Sequence, residues 1–299
     1  MAITISGSGI TSANIADGTI TTDDINSSDV SSLKSGRKNL IINGGFDVWQ
    51  RGTSFSYTSA GANKYSADRW RQEGYGYTGS VTKTTLGNYS AIAFAVTNSS
   101  AGYTGLVQRV EITGSSLLGE TVTLSYQIKG SGSFNIATQI TGTSNTVAVT
   151  ASTQELSHTH TVSSSDISNG FITVRFQFSG GDTGTITVSQ VQLELGSVAT
   201  DFEHRSYGEE LALCQRYYEK GNLYRSGWVT SGTSGVQTTT LLVEKRVTPT
   251  FSITSTGSLQ NATGVTLLGG TKHSIIHYPT GGGTAHLRYQ IGWTADAEL

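Results

Sequence analysis

Phe171-Ile-Thr-Val-Arg-Phe-Gln-Phe178 sends Ile172, Val174, Phe176 and Phe178 to one side of an extended chain, and Phe171, Thr173, Arg175 and Gln177 to the other. One apolar face and one largely polar face mark a half-buried strand in an antiparallel sheet with a single wet side. Short apolar alternations of the same kind recur at 80–83, 90–96, 105–112, 121–129, 134–140, 146–150, 155–162 and 185–195. Leu40-Ile-Ile42 reads as an opening strand turned by Asn43-Gly-Gly45. The run from 39 to 205 therefore predicts one antiparallel jelly-roll β-sandwich.

Beyond it, Ser206 followed by Glu209 makes Ser-x-x-Glu, a capping-box pattern at a helix start. Leu211, Cys214 and Tyr218, with Leu213 and Tyr217, fall at helical spacing, and Gly221 supplies a stop. The expectation is a connecting helix over 206–221, with Glu209 and Glu210 as capping and dipole partners. Strand signals resume at 228–230, 237–243, 250–254, 264–268, 274–278 and 287–293, predicting a smaller β domain over 222–299. Gly281-Gly-Gly283 reads as a hairpin tip, since neither a helix nor Lys-Ser/Thr follows it. The fold class is all-β throughout, with an extended amino-terminal arm.

That arm carries a repeat. Ile5, Ile10, Ile15, Ile20, Ile25 and Val30 recur every five residues, a period belonging to neither a helix nor a half-buried strand. Thirty residues cannot bury six such side chains alone. Residues 1–30 are expected to be ordered by partner chains, with 31–38 as linker. The competing reading is a disordered tail.

With 37 glycines, 2 prolines and 13% charged residues, the composition suits short strands and tight turns rather than long charged helices. A net charge of −2 without a basic block disfavours nucleic acid as a partner. The first residues lack a basic region followed by an apolar run, and no apolar stretch approaches the ~18 residues of a membrane span, so neither a signal peptide nor membrane insertion is expected. Cys214, alone, makes no intrachain disulfide.

Candidate chemistry is sparse. Tyr75, Tyr77, Tyr89 and Tyr103 offer aromatic faces of the kind sugars stack on, and Tyr75-Gly-Tyr77 on a Gly-rich loop is the preferred ligand pair among them. Trp49 and Trp70, each flanked by charged residues, read instead as core tryptophans beside ion pairs. Tyr224, Trp228, His273, His277, Tyr278 and Trp293 crowd the last quarter as further contact candidates, against packing as the alternative. His158 and His160 share a strand face and read as solvated surface histidines rather than metal ligands. Asp182 in Gly180-Gly-Asp-Thr-Gly184 is read as a turn residue in preference to a calcium ligand. No paired carboxylates or G-x-S-x-G motif suggest catalysis, so no enzyme activity, metal or cofactor is expected.

Five segments carry a family resemblance: Asn39-Leu-Ile-Ile-Asn-Gly-Gly-Phe-Asp-Val-Trp-Gln-Arg-Gly-Thr53, Ala67-Asp-Arg-Trp70, Val191-Gln-Leu-Glu-Leu-Gly196, Phe202-Glu-His-Arg205 and the run 209–218. With Ala295-Asp-Ala-Glu-Leu299 and the arm's Ile10-Thr-Ser-Ala-Asn-Ile-Ala-Asp-Gly-Thr-Ile20, the chain resembles bacteriophage tail-fibre and related virion proteins. The resemblance implies a module like carbohydrate-binding jelly rolls, a homotrimer, attachment by the amino terminus, and binding of a host-surface glycan or receptor by the distal part. It carries over no ligand-contacting residue. A polysaccharide-degrading tailspike and a purely structural capsid decoration or tail adaptor are the rival expectations.

Overall fold

The computed structural model describes residues 38–299 apart from 59–63, 75, 100–101, 113–116, 133, 230–235 and 282–284, so the arm from Ile5 to Val30, Tyr75 and the tip at Gly282–Gly283 lie outside the described residues. β1 (Ser54–Tyr57), β2 (Lys64–Tyr65) and β3 (Arg71–Gly74) lead into β4 (Tyr77–Leu86), β5 (Tyr89–Ser99) and β6 (Tyr103–Glu111). β7 (Thr121–Gly130), β8 (Phe134–Ile140), β9 (Thr143–Val149) and β10 (Gln154–Thr161) follow. A single-turn α1 (Ser164–Ile167) precedes β11 (Phe171–Ser179) and β12 (Gly184–Leu195).

These twelve strands form two six-stranded sheets, ordered β1-β4-β5-β12-β7-β10 and β2-β3-β6-β11-β8-β9, and every pairing is antiparallel. The result is a jelly-roll β-sandwich. β11 lies inside its sheet, Phe176 pairing with Leu106 on one side and Thr138 on the other. Its Ile172, Val174, Phe176 and Phe178 side chains are fully buried, and edge-on ring contacts cross the sandwich from Phe94 to Phe178 (5.7 Å) and from Tyr126 to Phe176 (5.0 Å). Each buried phenylalanine contributes about 1.5–3 kcal/mol.

Leu40-Ile-Ile42 is not a strand. The Asn39 carboxamide takes the bonds a ladder would use, accepting from the N–H groups of Ile41 (2.9 Å) and Leu193 (3.1 Å) and donating to the Val191 carbonyl (3.1 Å). The turn at Asn43 is present, with Asn43 at φ +58°, where asparagine is among the better-tolerated side chains. The face carrying His158 and His160 also differs from expectation. It turns towards the sandwich beside Leu156, and His160 contacts Asp166 (2.7 Å) and Thr143 (2.8 Å). Burial of both His158 ring nitrogens, with His160 nearby, lowers the His158 pKa.

The helix α2 (Tyr207–Gln215) starts where expected, Ser206 Oγ accepting from the Glu209 N–H at 3.3 Å. It ends well before Gly221. The chain straightens at Tyr218 into β13 (Tyr218–Val229), where Gly221 lies against the Trp293 ring. β14 (Gln237–Thr240), β15 (Thr250–Gln260), β16 (Ala262–Gly270), β17 (Ser274–Gly281) and β18 (Ala285–Asp296) complete two three-stranded sheets, β13-β18-β15 and β14-β17-β16. Leu223, Ile275, Leu287, Tyr289, Ile291 and Trp293 form a second core there, separate from that of the sandwich.

The segments of the resemblance meet in one fastening. Asn43 donates to the Val48 and Asp68 carbonyls (2.8 and 3.0 Å), accepts from the Val48 N–H (3.0 Å), and gives its own carbonyl to Trp70 Nε1 (3.0 Å). Glu210, in the first turn of α2, accepts the Asn43 N–H at 2.6 Å and pairs with Arg205 at 3.4 Å, so its role exceeds that of a dipole partner. Arg51 bridges Asp68 (3.2 Å), Asp296 (3.5 Å) and Glu298 (3.3 Å), and Gln50 Nε2 donates to the Tyr218 carbonyl at 2.8 Å. Trp49 and Trp70 pack on or in the core beside these ion pairs, as their flanking charges predicted.

Candidate functional site

The fastening shapes a cleft on the outer face of the β1-β4-β5-β12-β7-β10 sheet. β12 bulges between Ser189 and Gln192, with Gln190 at φ +51°. An extra residue of this kind re-aims side chains. Val191 goes to the core and accepts the amino-terminal loop, its N–H donating to the Gly44 carbonyl at 3.0 Å. Gln190 lines the cleft. The segment after β12 then folds back over the sheet, because Glu194 accepts the Thr200 N–H (2.8 Å) and hydroxyl (2.6 Å) while Gln192 accepts the Glu203 N–H (2.8 Å).

Residues 202–205 extend away from that anchor and split by alternation. Glu203 and Arg205 turn to the fastening, where Glu203 accepts the Asn39 N–H at 2.8 Å and Arg205 donates to the Ile41 carbonyl at 3.0 Å. Phe202 and His204 turn to the cleft. His204 sits between two rings, 4.9 Å from Phe202 edge-on and 6.0 Å from Tyr89 at an interplanar angle of 27°. Tyr89 remains 41% exposed. The opposite wall comes from the wet side of β7 and β10: Ser125, Gln127, Glu155 and Ser157, with Gln127 Nε2 donating to Glu155 at 2.8 Å. Beneath them Tyr126 faces inward, its hydroxyl donating to Thr138 at 3.3 Å, and burial pushes its phenol up to about 12, so the floor is neutral.

The cleft measures about 490 Å³, and a smaller extension of about 180 Å³ continues past Tyr89 and Gln190 towards Asp47 and Asn88. It combines an aromatic cluster with amide, hydroxyl and carboxylate groups (Asp201 completes the rim), the chemistry that takes one apolar sugar face and several hydroxyls together. Among the described residues no group of three or more His, Cys, Asp or Glu side chains is arranged to hold a metal ion. Cys214 is buried, and burial raises its thiol well above the ordinary value, which leaves it unreactive.

The residues singled out from sequence separate into buried and exposed. Tyr77 is 4% exposed, inside the sandwich core, and is no ligand contact. His277 is fully buried between the Tyr289 hydroxyl (3.2 Å) and Thr239 Oγ1 (3.1 Å), and burial, with Arg225 nearby, lowers its pKa, making it a neutral core imidazole. Trp293 is core as well. Tyr278 is half-buried on β17, and His273 is exposed in the β16–β17 turn, 3.7 Å from Glu244. Tyr224 and Trp228 stand exposed on one face of β13. Of Tyr77, Tyr89 and Tyr103, Tyr89 alone lines the cleft.

No protein-family model matches this chain, and no curated protein matches it. Among solved structures it is similar to a CBM4 structure (19% identity, 52% of this chain and 98% of that one, TM-score 0.35). It is also similar to a family 11 carbohydrate-binding module from Clostridium thermocellum in complex with a β-1,3-1,4-mixed-linked tetrasaccharide (15%, 50% and 98%, TM-score 0.35). A third is the enzymatically active domain of bacteriophage CBA120 tailspike protein 4 (13%, TM-score 0.33), where the match spans 53% of this chain and 21% of that one.

Proposed function

We propose that this chain is a non-enzymatic attachment protein of a phage-like virion, homotrimeric, anchored through residues 1–30, that binds a host-surface glycan in the cleft of its sandwich. The observation that carries the binding role is the Tyr89–His204–Phe202 ring cluster set among Gln127, Glu155, Gln190 and Asp201. The virion role rests on the resemblance of residues 39–53, 67–70, 191–196, 202–205 and 209–218, and the anchoring role on the five-residue repeat from Ile5 to Val30. A trimer would let three weak sites act together by avidity.

A glycan array with the full chain, followed by calorimetry on the best binder, tests the reading. Replacing Tyr89 and His204 by alanine is expected to weaken binding at least tenfold, since each ring contact contributes about 0.5–1.5 kcal/mol beyond the area it buries. Retained affinity in a folded double variant would overturn it. Deleting residues 1–30 is expected to abolish incorporation into virions while leaving the remainder folded, and normal incorporation refutes the anchor.

One observation favours a second reading. Glu155 and Asp201, 46 positions apart in sequence, line the same cleft, as the two carboxylates of a glycoside hydrolase do. Turnover of the bound glycan that is lost in Glu155→Gln would establish that alternative.

A further inference from the structure

β13 is the edge strand of the β13-β18-β15 sheet, and its register with β18 runs unbroken from Tyr218–Asp296 to Val229–Ala285. Odd-numbered side chains of β13 and β18, such as Leu223, Leu287, Tyr289 and Ile291, fill the core, so even-numbered ones stand on the outer face. Directly opposed pairs there are Trp228 with His286, Ser226 with Arg288, Tyr224 with Gln290, Asn222 with Gly292 and Lys220 with Thr294. Trp228 is 76% exposed and Tyr224 56%, a degree of exposure that neither ring's packing explains.

Three features of this face favour a saccharide. Trp228 and Tyr224 are four residues apart on one strand, about 13 Å, too far for one sugar ring to cover both yet in line for an extended chain. Trp228 meets His286 edge-on at 6.0 Å, which holds the indole while leaving it open to solvent. Beyond Tyr224 the missing side chain of Gly292 leaves a point that lies 2.6 Å from Ser255 Oγ, 2.8 Å from Thr254 Oγ1 and 3.2 Å from Asn222 Oδ1, so three oxygens converge beside the aromatic pair. Arg288 occupies the row between the two rings, with Lys220 further along. The acid on these rows is Asp296, at the junction end, where it pairs with Arg51 at 3.5 Å.

We propose that the outer face of the β13-β18-β15 sheet is a second saccharide site, for an extended acidic glycan that stacks on Trp228 and Tyr224 and brings a carboxylate to Arg288. The site shares no residue with the sandwich cleft and does not depend on it.

The test uses the full chain with oligomers of galacturonic, glucuronic, mannuronic and N-acetylneuraminic acid, and with carboxyl-reduced counterparts of each, read by calorimetry and tryptophan fluorescence. At least one acidic oligomer is expected to bind, with affinity falling tenfold or more in Trp228→Ala and in Tyr224→Ala. Arg288→Gln is expected to remove the preference for the acidic over the reduced form. The Tyr89→Ala/His204→Ala variant is expected to bind the acidic oligomer unchanged, which separates this site from the cleft. Binding lost only in the cleft variant overturns the proposal, as does binding of none of the oligomers. A fall in molecular mass on Trp228→Ala also overturns it, because the face would then be a contact between copies of the chain.

Discussion

Arg69 lies flat against Tyr217, its guanidinium carbon 3.5 Å from the ring centroid, and the same guanidinium pairs with Glu298. One fully buried side chain of the sandwich thus holds both the end of α2 and the strand leaving the carboxy-terminal sheet. Burial opposes the charge, but Glu298 raises the Arg69 pKa above its ordinary value, so the guanidinium stays charged. Arg69→Met leaves Glu298 buried without this partner and is expected to cost about 3–5 kcal/mol. Arg69→Lys should not restore the loss, because an ammonium cannot stack and fork at once. Urea denaturation of the three proteins decides this, and a loss below 1 kcal/mol in Arg69→Met would show that the contact is dispensable.

Asp68 gives the fastening a pH signature. Burial pushes its carboxyl up to about 6 against Arg51 and Gln50, with Glu298 adding to the rise. Its folded pKa lies above the unfolded value near 3.9, so the stability linked to it is complete below about pH 4 and is lost as pH rises through about 6. The amount is on the order of 3 kcal/mol. Asp68→Asn lacks this titration, so the stability gap between wild type and variant should narrow between pH 4 and pH 7. A gap independent of pH would refute the raised value.

Gly44 is required by a close approach. A Cβ there would stand 2.0 Å from the Val191 carbonyl oxygen, a backbone atom held by the Asn39 amide. Gly44→Ala is expected to destabilise by about 1–3 kcal/mol or more, whereas Gly132→Ala, with open space around it, should stay within about 0.5 kcal/mol. Thermal melts of both variants test the contrast.

Two substitutions at the start of α2 should have opposite signs. Ser206→Ala removes the cap to Glu209 and is expected to cost about 1 kcal/mol. Gly208→Ala, on the helix with nothing near its added methyl, should stabilise by about 0.5–1 kcal/mol. Equal signs in denaturant titrations would contradict the helix start.

The long sandwich strands were legible because their two faces differ: β11 reads directly as Ile172, Val174, Phe176 and Phe178 inward. β13 was anticipated only at its far end. Glu219-Lys-Gly-Asn-Leu-Tyr-Arg-Ser-Gly227 has no β-branched residue, and Tyr217 and Tyr218 fit a helical spacing while serving as platforms for Arg69 and Arg51. Leu40-Ile-Ile42 misled for the converse reason, since an apolar triplet gives no hint that the Asn39 side chain replaces the ladder. The cleft left almost no local trace. Tyr89, Gln127, Glu155, Gln190 and His204 come from separate segments, united by the strand order β5-β12-β7-β10 and by the fold-back of residues 196–206. Tyr89 as a sugar-stacking candidate was the single part visible beforehand. Tyr77 and His277 failed as candidates because aromatic and imidazole side chains satisfy cores as readily as ligands.

The chain passes into and out of the sandwich at one place, Leu40 N–H donating to the Leu193 carbonyl at 2.8 Å. Tension between residue 38 and the carboxy-terminal sheet would therefore run through the Asn39–Arg205 and Asn43–Glu210 ties, which are 166 and 167 positions apart in sequence, and bypass the chain between them. The sandwich hangs beside the load path. Force applied along the chain would stress the clasp first, and the cleft would keep its shape for as long as the clasp held.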